Sequence, residues 1–338
     1  MKVLFVTRPH IGLSKGGLQK QINCTAECLE NRGVEILRYD PWRDQLPEAD
    51  ICHCFSTNAQ MHMHVTEAKR RNIPVVISPV FAPYDIPLWK MVLKVRLAEK
   101  IPGMMNHFKY LKQMLQTADR VLPLHKEEAR RLVKCFGISP EKVEIIPNGI
   151  DQRFSGADPT LFEEKYGIKD FILQVGSIDR NKNQYLAIKA MQKLPYKLVI
   201  IGETMISCQG YARRCREAAG PNVLFIGPLD HNDPMLLSAF AAAQVFILPS
   251  YSEVMPLVLY EAAQIVPAII VSKNIPLEDH VRDLVMRADP SDVRRWIELI
   301  EEGMRMQPKE ELCRAVLSMA TWQGIADRIF DIYQSLLK

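Results

Sequence analysis

Two carboxylates with seven residues between them, Glu253 and Glu261, flank an abrupt change of chain texture in the C-terminal half. The apolar run 245–248 stops at Pro249, the polar stretch Ser250–Tyr251–Ser252–Glu253 follows, and a helix is expected from near Pro256. In α/β proteins a strand end facing a helix start binds anions, because free backbone N–H groups and the helix dipole point there. Carboxylates beside such a site would repel phosphate and suit hydroxyl groups. A second loop has the complementary chemistry. After the apolar run 171–175 comes Gly176–Ser177–Ile178–Asp179–Arg180–Asn181–Lys182–Asn183, with two cations. Arg makes forked contacts to phosphate oxygens and Lys acts as a point charge. Loops after the carboxyl ends of parallel strands share one edge of a sheet, so this loop and Glu253 can face one crevice. A site for an anion and for hydroxyls together fits a sugar nucleotide.

The elements that must position these groups follow a strand–helix rhythm. Residues 3–6 form a buried-type apolar run, Gly16–Gly17 a turn, and Leu18, Ile22, Ala26 and Leu29 one helical stripe ending at Gly33. Strands are expected at 34–37, 51–55, 75–78 and 120–124, with helices between them. The stretch Ile145–Ile146–Pro147–Asn148–Gly149–Ile150–Asp151 punctuates the chain, and 156–167 reads as linker. The rhythm then restarts, with strands at 171–175, 197–201, 223–226, 245–248 and 268–271 and a helix over 185–194. Such alternation indicates parallel sheets with right-handed crossovers. Two open α/β domains result, at 1–150 and 170–320. A final amphipathic helix over 321–338 presents Trp322, Ile325, Ile329, Ile332, Tyr333 and Leu336 on one face.

Composition agrees with this. At 338 residues the chain has room for two cores, and a net charge of +4 is too small to imply nucleic acid. The eight cysteines include no CxxC pair, which points to free thiols in a reducing compartment rather than to zinc. The opening residues read as a strand, not as a signal core, and no apolar run approaches the ~20 residues of a membrane span. A cytoplasmic location is expected.

The motifs together resemble the GT-B glycosyltransferases of family 4, the large retaining group that uses nucleotide-sugar donors and is related to glycogen synthase. The resemblance rests on the Gly16–Gly17 loop, the Pro147–Asn148–Gly149 junction, the Val175–Gly176 turn with Arg180 and Lys182–Asn183–Gln184, the Glu253-to-Glu261 segment, and the closing helix. It implies two Rossmann-like domains facing a central cleft, the N-terminal one on the acceptor side and the C-terminal one holding the donor. The last helix would cross back to the first domain. It further implies transfer of a hexose with retention, without a metal or other cofactor, from a UDP- or GDP-linked donor. By resemblance Lys182 meets the diphosphate, with Arg180 beside it, and Glu253 holds hydroxyls of the transferred sugar. Glu261 takes the ribose hydroxyls, and Leu257 and Val258 offer backbone N–H groups to the phosphates. Gly176, Gly16 and Gly17 would allow close backbone approach. The acceptor would be a glycan or lipid-linked sugar of surface polysaccharide or glycoconjugate synthesis.

This sequence departs from the family pattern at the donor side. Ser177 stands where the family has Arg, Pro256 where it favours glycine, and Gln264–Ile265–Val266–Pro267 lacks a glycine. The loop 273–289 reads as short. These departures open a second reading, a family relative that binds sugar or partner proteins without turnover. His10, His53 and His125 are candidate acceptor contacts, although a lone histidine is more often structural. From 88 to 134, eleven basic residues stand against four acids, interleaved with Trp89, Met91, Leu93, Met104, Met105 and Phe108. Two readings stand: peripheral contact with the inner face of a membrane, or a core-facing helix with a solvated basic side.

Overall fold

Strands that are apolar at every position need cover on both faces, which parallel sheets flanked by helices provide. The protein follows this rule twice. Its structure, a computed structural model, describes residues 1–8, 11–13, 16–40, 46–81, 83–101, 106–308 and 310–338. His10, Met104 and Met105 lie outside the described residues. The chain forms two compact units, Met1–Gly149 with Ala320–Lys338, and Ile150–Met319.

In the first unit the order is β1 (Lys2–Val6), α1 (Gly17–Glu30), β2 (Glu35–Arg38), β3 (Ile51–Phe55), α2 (His62–Arg70), β4 (Val75–Ser78), α3 (Leu88–Glu99), α4 (His107–Thr117), β5 (Arg120–Val121) and α5 (Lys126–Phe136). The strands form a parallel sheet in the order β2-β1-β3-β4-β5. Because side chains alternate across a strand, Cys52 and Cys54 enter the core under α2, α3 and α4, while Ile51 and Phe55 enter the opposite core with α1. All eight cysteines are free. Strand β5 stops at Val121, earlier than the apolar run to Leu124 suggests.

The second unit contains α6 (Thr160–Tyr166), β6 (Phe171–Val175), α7 (Gln184–Met191), β7 (Leu198–Ile201), α8 (Gln209–Ala218), β8 (Val223–Ile226), α9 (Pro234–Ala242), β9 (Ala243–Leu248), α10 (Leu257–Ala262), β10 (Ala268–Ser272), α11 (Asp279–Arg282), β11 (Met286–Ala288), α12 (Val293–Gly303) and α13 (Glu310–Leu317). Its parallel sheet runs β11-β10-β9-β6-β7-β8. Three expectations need correction. The 156–167 stretch is not all linker, because α6 buries Phe162, whose N–H donates to Ser238 Oγ at 2.9 Å. The 273–289 stretch is not simply a loop, since it carries α11 and the edge strand β11. Helix α7 ends at Met191, three residues before the apolar pattern does.

The last helix, α14 (Trp322–Leu336), returns to the first unit and packs along α1. Ile325, Ile329, Ile332 and Tyr333 fill the core with Ile22, Ala26 and Leu29. Its start presses on the Asn-Gly junction: a Cβ at Gly149 would lie 2.4 Å from Trp322 Cα, so only glycine fits there. His53 Nδ1 and the Tyr333 hydroxyl are 2.5 Å apart, and His53 Nε2 lies 2.9 Å from Ser78 Oγ. Burial lowers the imidazole to about 3. His53 thus fastens the helix to the sheet and is no sugar contact. His125 caps α5, accepting from the Glu127 N–H at 3.1 Å.

Candidate functional site

The loop that leaves β6 is held rigid by its own side chains. Gly176 takes φ +145°, a region strained for any side chain. The neighbouring loop after β7 comes so close that a Cβ at Gly202 would sit 1.9 Å from the Gly176 carbonyl oxygen. Ser177 Oγ donates to Asp179 Oδ2 at 2.5 Å, and Asp179 Oδ1 accepts the Lys182 N–H at 3.0 Å. Gln174 and Gln184 donate to the Lys182 and Ser177 carbonyls, each at 2.8 Å. Asn183, buried at φ +55°, donates to the carbonyls of Pro249 at 3.2 Å and Pro290 at 2.8 Å. One amide therefore joins the loops that follow β6, β9 and β11.

Against this loop lies the one that leaves β9, the strand beside β6 in the sheet. Asn181 O accepts the Tyr251 N–H at 2.8 Å, Asn181 Oδ1 accepts that of Ser252 at 3.1 Å, and its Nδ2 donates to Ser252 O at 2.9 Å. This stitching sets Lys182 Nζ 2.6 Å from Glu253 Oε1. The two side chains are only 18% and 16% exposed, so solvent screens their attraction less than it would on an open surface. Arg180 is exposed and, among the described residues, joins no acid. The structure thus joins one of the two loop cations to Glu253, not both.

Glu261 belongs to a different cluster of the same unit. It lies on α10 and its side chain is 9% exposed, with His231 Nδ1 3.6 Å from Oε1. His231 Nε2 is 2.8 Å from Asp151 Oδ2, and Arg153 reaches the same oxygen at 2.7 Å. Gln264 Nε2 donates to the carbonyls of Asp151 at 2.8 Å and Tyr260 at 3.1 Å. Both acids hang from the single segment between β9 and β10, yet each has its own partners. Pro256 is the N-cap of α10 and not its first residue; the helix begins at Leu257. Leu257 and Val258 therefore supply first-turn N–H groups, which have no acceptor within a helix.

Gly16 and Gly17 stand in the first unit, at the start of α1. Gly16 is the N-cap with extended backbone, φ −177°, a conformation open to any residue. A Cβ at either position would meet nothing within 4 Å among the described residues. Within this unit, then, neither turn geometry nor packing demands glycine there. His231 was missed from sequence, although one signal was present: it follows the Gly227 turn after β8, on the same sheet edge as the other loops.

Residues 162–315 match the family described as Glycosyl transferases group 1, and residues 30–154 match Glycosyltransferase Family 4. Each half of the chain thus matches a glycosyltransferase family model, and together they resemble the family 4 glycosyltransferases. The chain is similar to D-inositol 3-phosphate glycosyltransferases of Mycobacterium tuberculosis and Mycobacterium bovis. It is 25% identical to them over 242 residues, covering 66% of this chain and 50% of theirs. The chain thus spans about half the length of the curated relatives it matches. In three dimensions it resembles a sucrose-phosphate synthase from Thermosynechococcus elongatus, with TM-score 0.76, 17% identity and coverage of 99% and 98% of the two chains. The Anabaena protein HepE in complex with UDP and glucose gives 0.74 and 15%, over 99% and 100%. WaaG, a glycosyltransferase involved in lipopolysaccharide biosynthesis, gives 0.68 and 16%, over 98% and 99%. The fold is GT-B.

Proposed function

We propose that this chain is a retaining glycosyltransferase that moves a hexose from a nucleoside-diphosphate sugar to a glycan or lipid-linked acceptor. The Lys182–Glu253 pair carries the reading: a cation and a hydroxyl-binding acid, fixed 2.6 Å apart on the sheet edge of the second unit. HepE was captured with UDP and glucose, which supports a donor of this class. Lys182 would neutralise the leaving diphosphate together with the N–H groups of Leu257 and Val258, so no metal is required. Arg180, which joins no acid among the described residues, would reach the same phosphates. Glu261, held by His231, would take the ribose hydroxyls. Gly176 lets the loop backbone approach the donor, while Gly16 and Gly17 leave the start of α1 open. The second unit is the donor domain and the first serves the acceptor.

The costly step is breaking the anomeric C–O bond through an oxocarbenium-like state. Positive groups aimed at the departing phosphate stabilise the charge that develops there. The acceptor proton passes to a departing phosphate oxygen on the same face, which yields retention without a protein base. Glu253 orients the sugar.

Ser177 favours a second reading. Its hydroxyl is committed to Asp179 where the family carries a cation, which suits a chain that binds sugar or partner proteins without turnover. Thermal shift with UDP- and GDP-sugars, followed by nucleotide release with and without a chelator, tests both. The enzyme reading expects a rise in melting temperature and chelator-insensitive release. No shift with any donor, or a shift without release, overturns the enzyme reading and supports the second.

A further inference from the structure

Helix α3 is apolar on two sides. Met91 and Val95 are buried in the core of the first unit, and Leu88 and Val92 pack against it. On the other side Trp89 is 66% exposed, Leu93 50% and Leu97 56%, with Ile101 just past the helix end at 46%. These four follow one another at intervals of four residues, so they make a single stripe along the helix. Lys90, Lys94, Arg96 and Lys100 are all exposed beside it. The only acid in the helix, Glu99, is taken by Lys112 of α4 at 2.9 Å. Asp85 is exposed in the turn before the helix.

We infer that this face of α3 docks onto an anionic phospholipid surface. An exposed apolar stripe on a small unit calls for a partner. The chemistry of its border selects which one. Four cations with no free acid along the helix complement anionic headgroups, and their stems can lie along the acyl boundary while the charges stay in water. Trp89 is the side chain best suited to the headgroup level. A second copy of the chain is disfavoured, because a two-fold contact would bring these cations against their own equivalents. A general protein partner fits less well, since interface cores are poor in Lys. The core-facing reading of 88–134 holds for Met91, Val95, Leu111, Met114 and Leu115, all buried, and leaves the Trp89 stripe unexplained. This inference does not rest on the donor site, because lipid binding is read without donor or acceptor.

Flotation of the full chain with phosphatidylglycerol-containing vesicles, against phosphatidylcholine alone, is the test. Binding is expected only to the anionic vesicles and should weaken as salt rises. Leu93→Ser/Leu97→Ser should lower partitioning about tenfold or more by removing inserted apolar surface. Lys90→Glu/Lys94→Glu should lower it at least as much, about thirtyfold. All four positions are exposed, so melting temperatures should stay near that of the parent. A second measurement needs no folding assumption: brominated lipids should quench the parent's fluorescence, and the quenching should vanish in Trp89→Phe. Equal binding to neutral and anionic vesicles overturns the proposal, as does binding unaffected by the four substitutions. So does a dimer that dissociates in Leu93→Ser/Leu97→Ser while no lipid is bound.

Discussion

The ammonium of Lys182 and the carboxylate of Glu253 are each less than a fifth exposed and 2.6 Å apart, so deleting either leaves the other partly buried and unpaired. That sets a sign for mutation. On the proposed reading Lys182→Ala removes the phosphate cation and also leaves a carboxylate facing the nucleotide's negative charge, so UDP binding should weaken by ~1–3 kcal/mol. Glu253→Gln frees the cation and should preserve or tighten UDP binding while turnover falls, because the sugar loses its orienting acid. The double variant should recover part of the single Lys182→Ala loss, with a coupling of ~0.5–3 kcal/mol. Titration calorimetry of all four proteins checks this, and strict additivity would show that the ion pair plays no part in nucleotide binding. Glu261→Ala should also weaken UDP by ~1–3 kcal/mol. Lys182 and Glu253 were both legible as charged residues on loops after apolar runs. That they pair directly was not, nor that Glu261 joins His231, because Asp151 and His231 meet across 80 residues of sequence.

Elements were legible wherever local pattern decides them. Strands β3, β4, β6 and β8 coincide with the expected 51–55, 75–78, 171–175 and 223–226, and α14 matches an amphipathic stripe. Element ends were less legible: β5 gives way after Val121 to a loop whose Leu124 N–H donates to Glu128 at 2.6 Å. Glu128 is fully buried and also accepts the Phe81 N–H at 2.5 Å. Burial raises its carboxyl to about 8 although both donors favour the anion. The role of His53 was hidden for a similar reason, since Tyr333 lies 280 residues away. This clasp has a pH signature. The folded imidazole titrates at about 3 against 6.5 for the free group. Its stabilisation is therefore complete above the free value and is lost as pH falls from there toward 3, by up to ~1.4 kcal/mol per pH unit. Urea unfolding of the parent and of His53→Asn should show acid destabilisation that the variant lacks in this window, at the cost of lower stability at neutral pH. Parallel curves for the two proteins would remove the histidine from the acid response. Tyr333→Phe should cost ~1–3 kcal/mol at neutral pH by leaving a buried ring nitrogen without its partner.

At the scale of the molecule, the closing helix belongs to the unit that opens the chain, and the groups proposed to hold the donor lie within the other. Lys182, Glu253, Glu261, His231 and Asp151 all fall in Ile150–Met319, a unit with its own core around Trp296, Phe240 and Phe246. By contrast α14 buries Trp322, Ile325, Ala326, Ile329, Ile332 and Tyr333. At ~1.5–3 kcal/mol for each large apolar side chain, their loss rivals the ~5–15 kcal/mol that holds a whole domain. A chain cut after Met319 should therefore lose the first unit's fold and keep the second's. Limited proteolysis of the shortened chain should leave a resistant fragment beginning near Ile150. UDP should raise the melting temperature of that fragment, and it should raise that of the second unit in the full chain likewise. The opposite result, a shortened chain whose 1–149 part still resists protease and melts cooperatively, would show that α1 and its sheet hold together without α14. A fragment that folds but ignores UDP would place part of the nucleotide site outside the second unit.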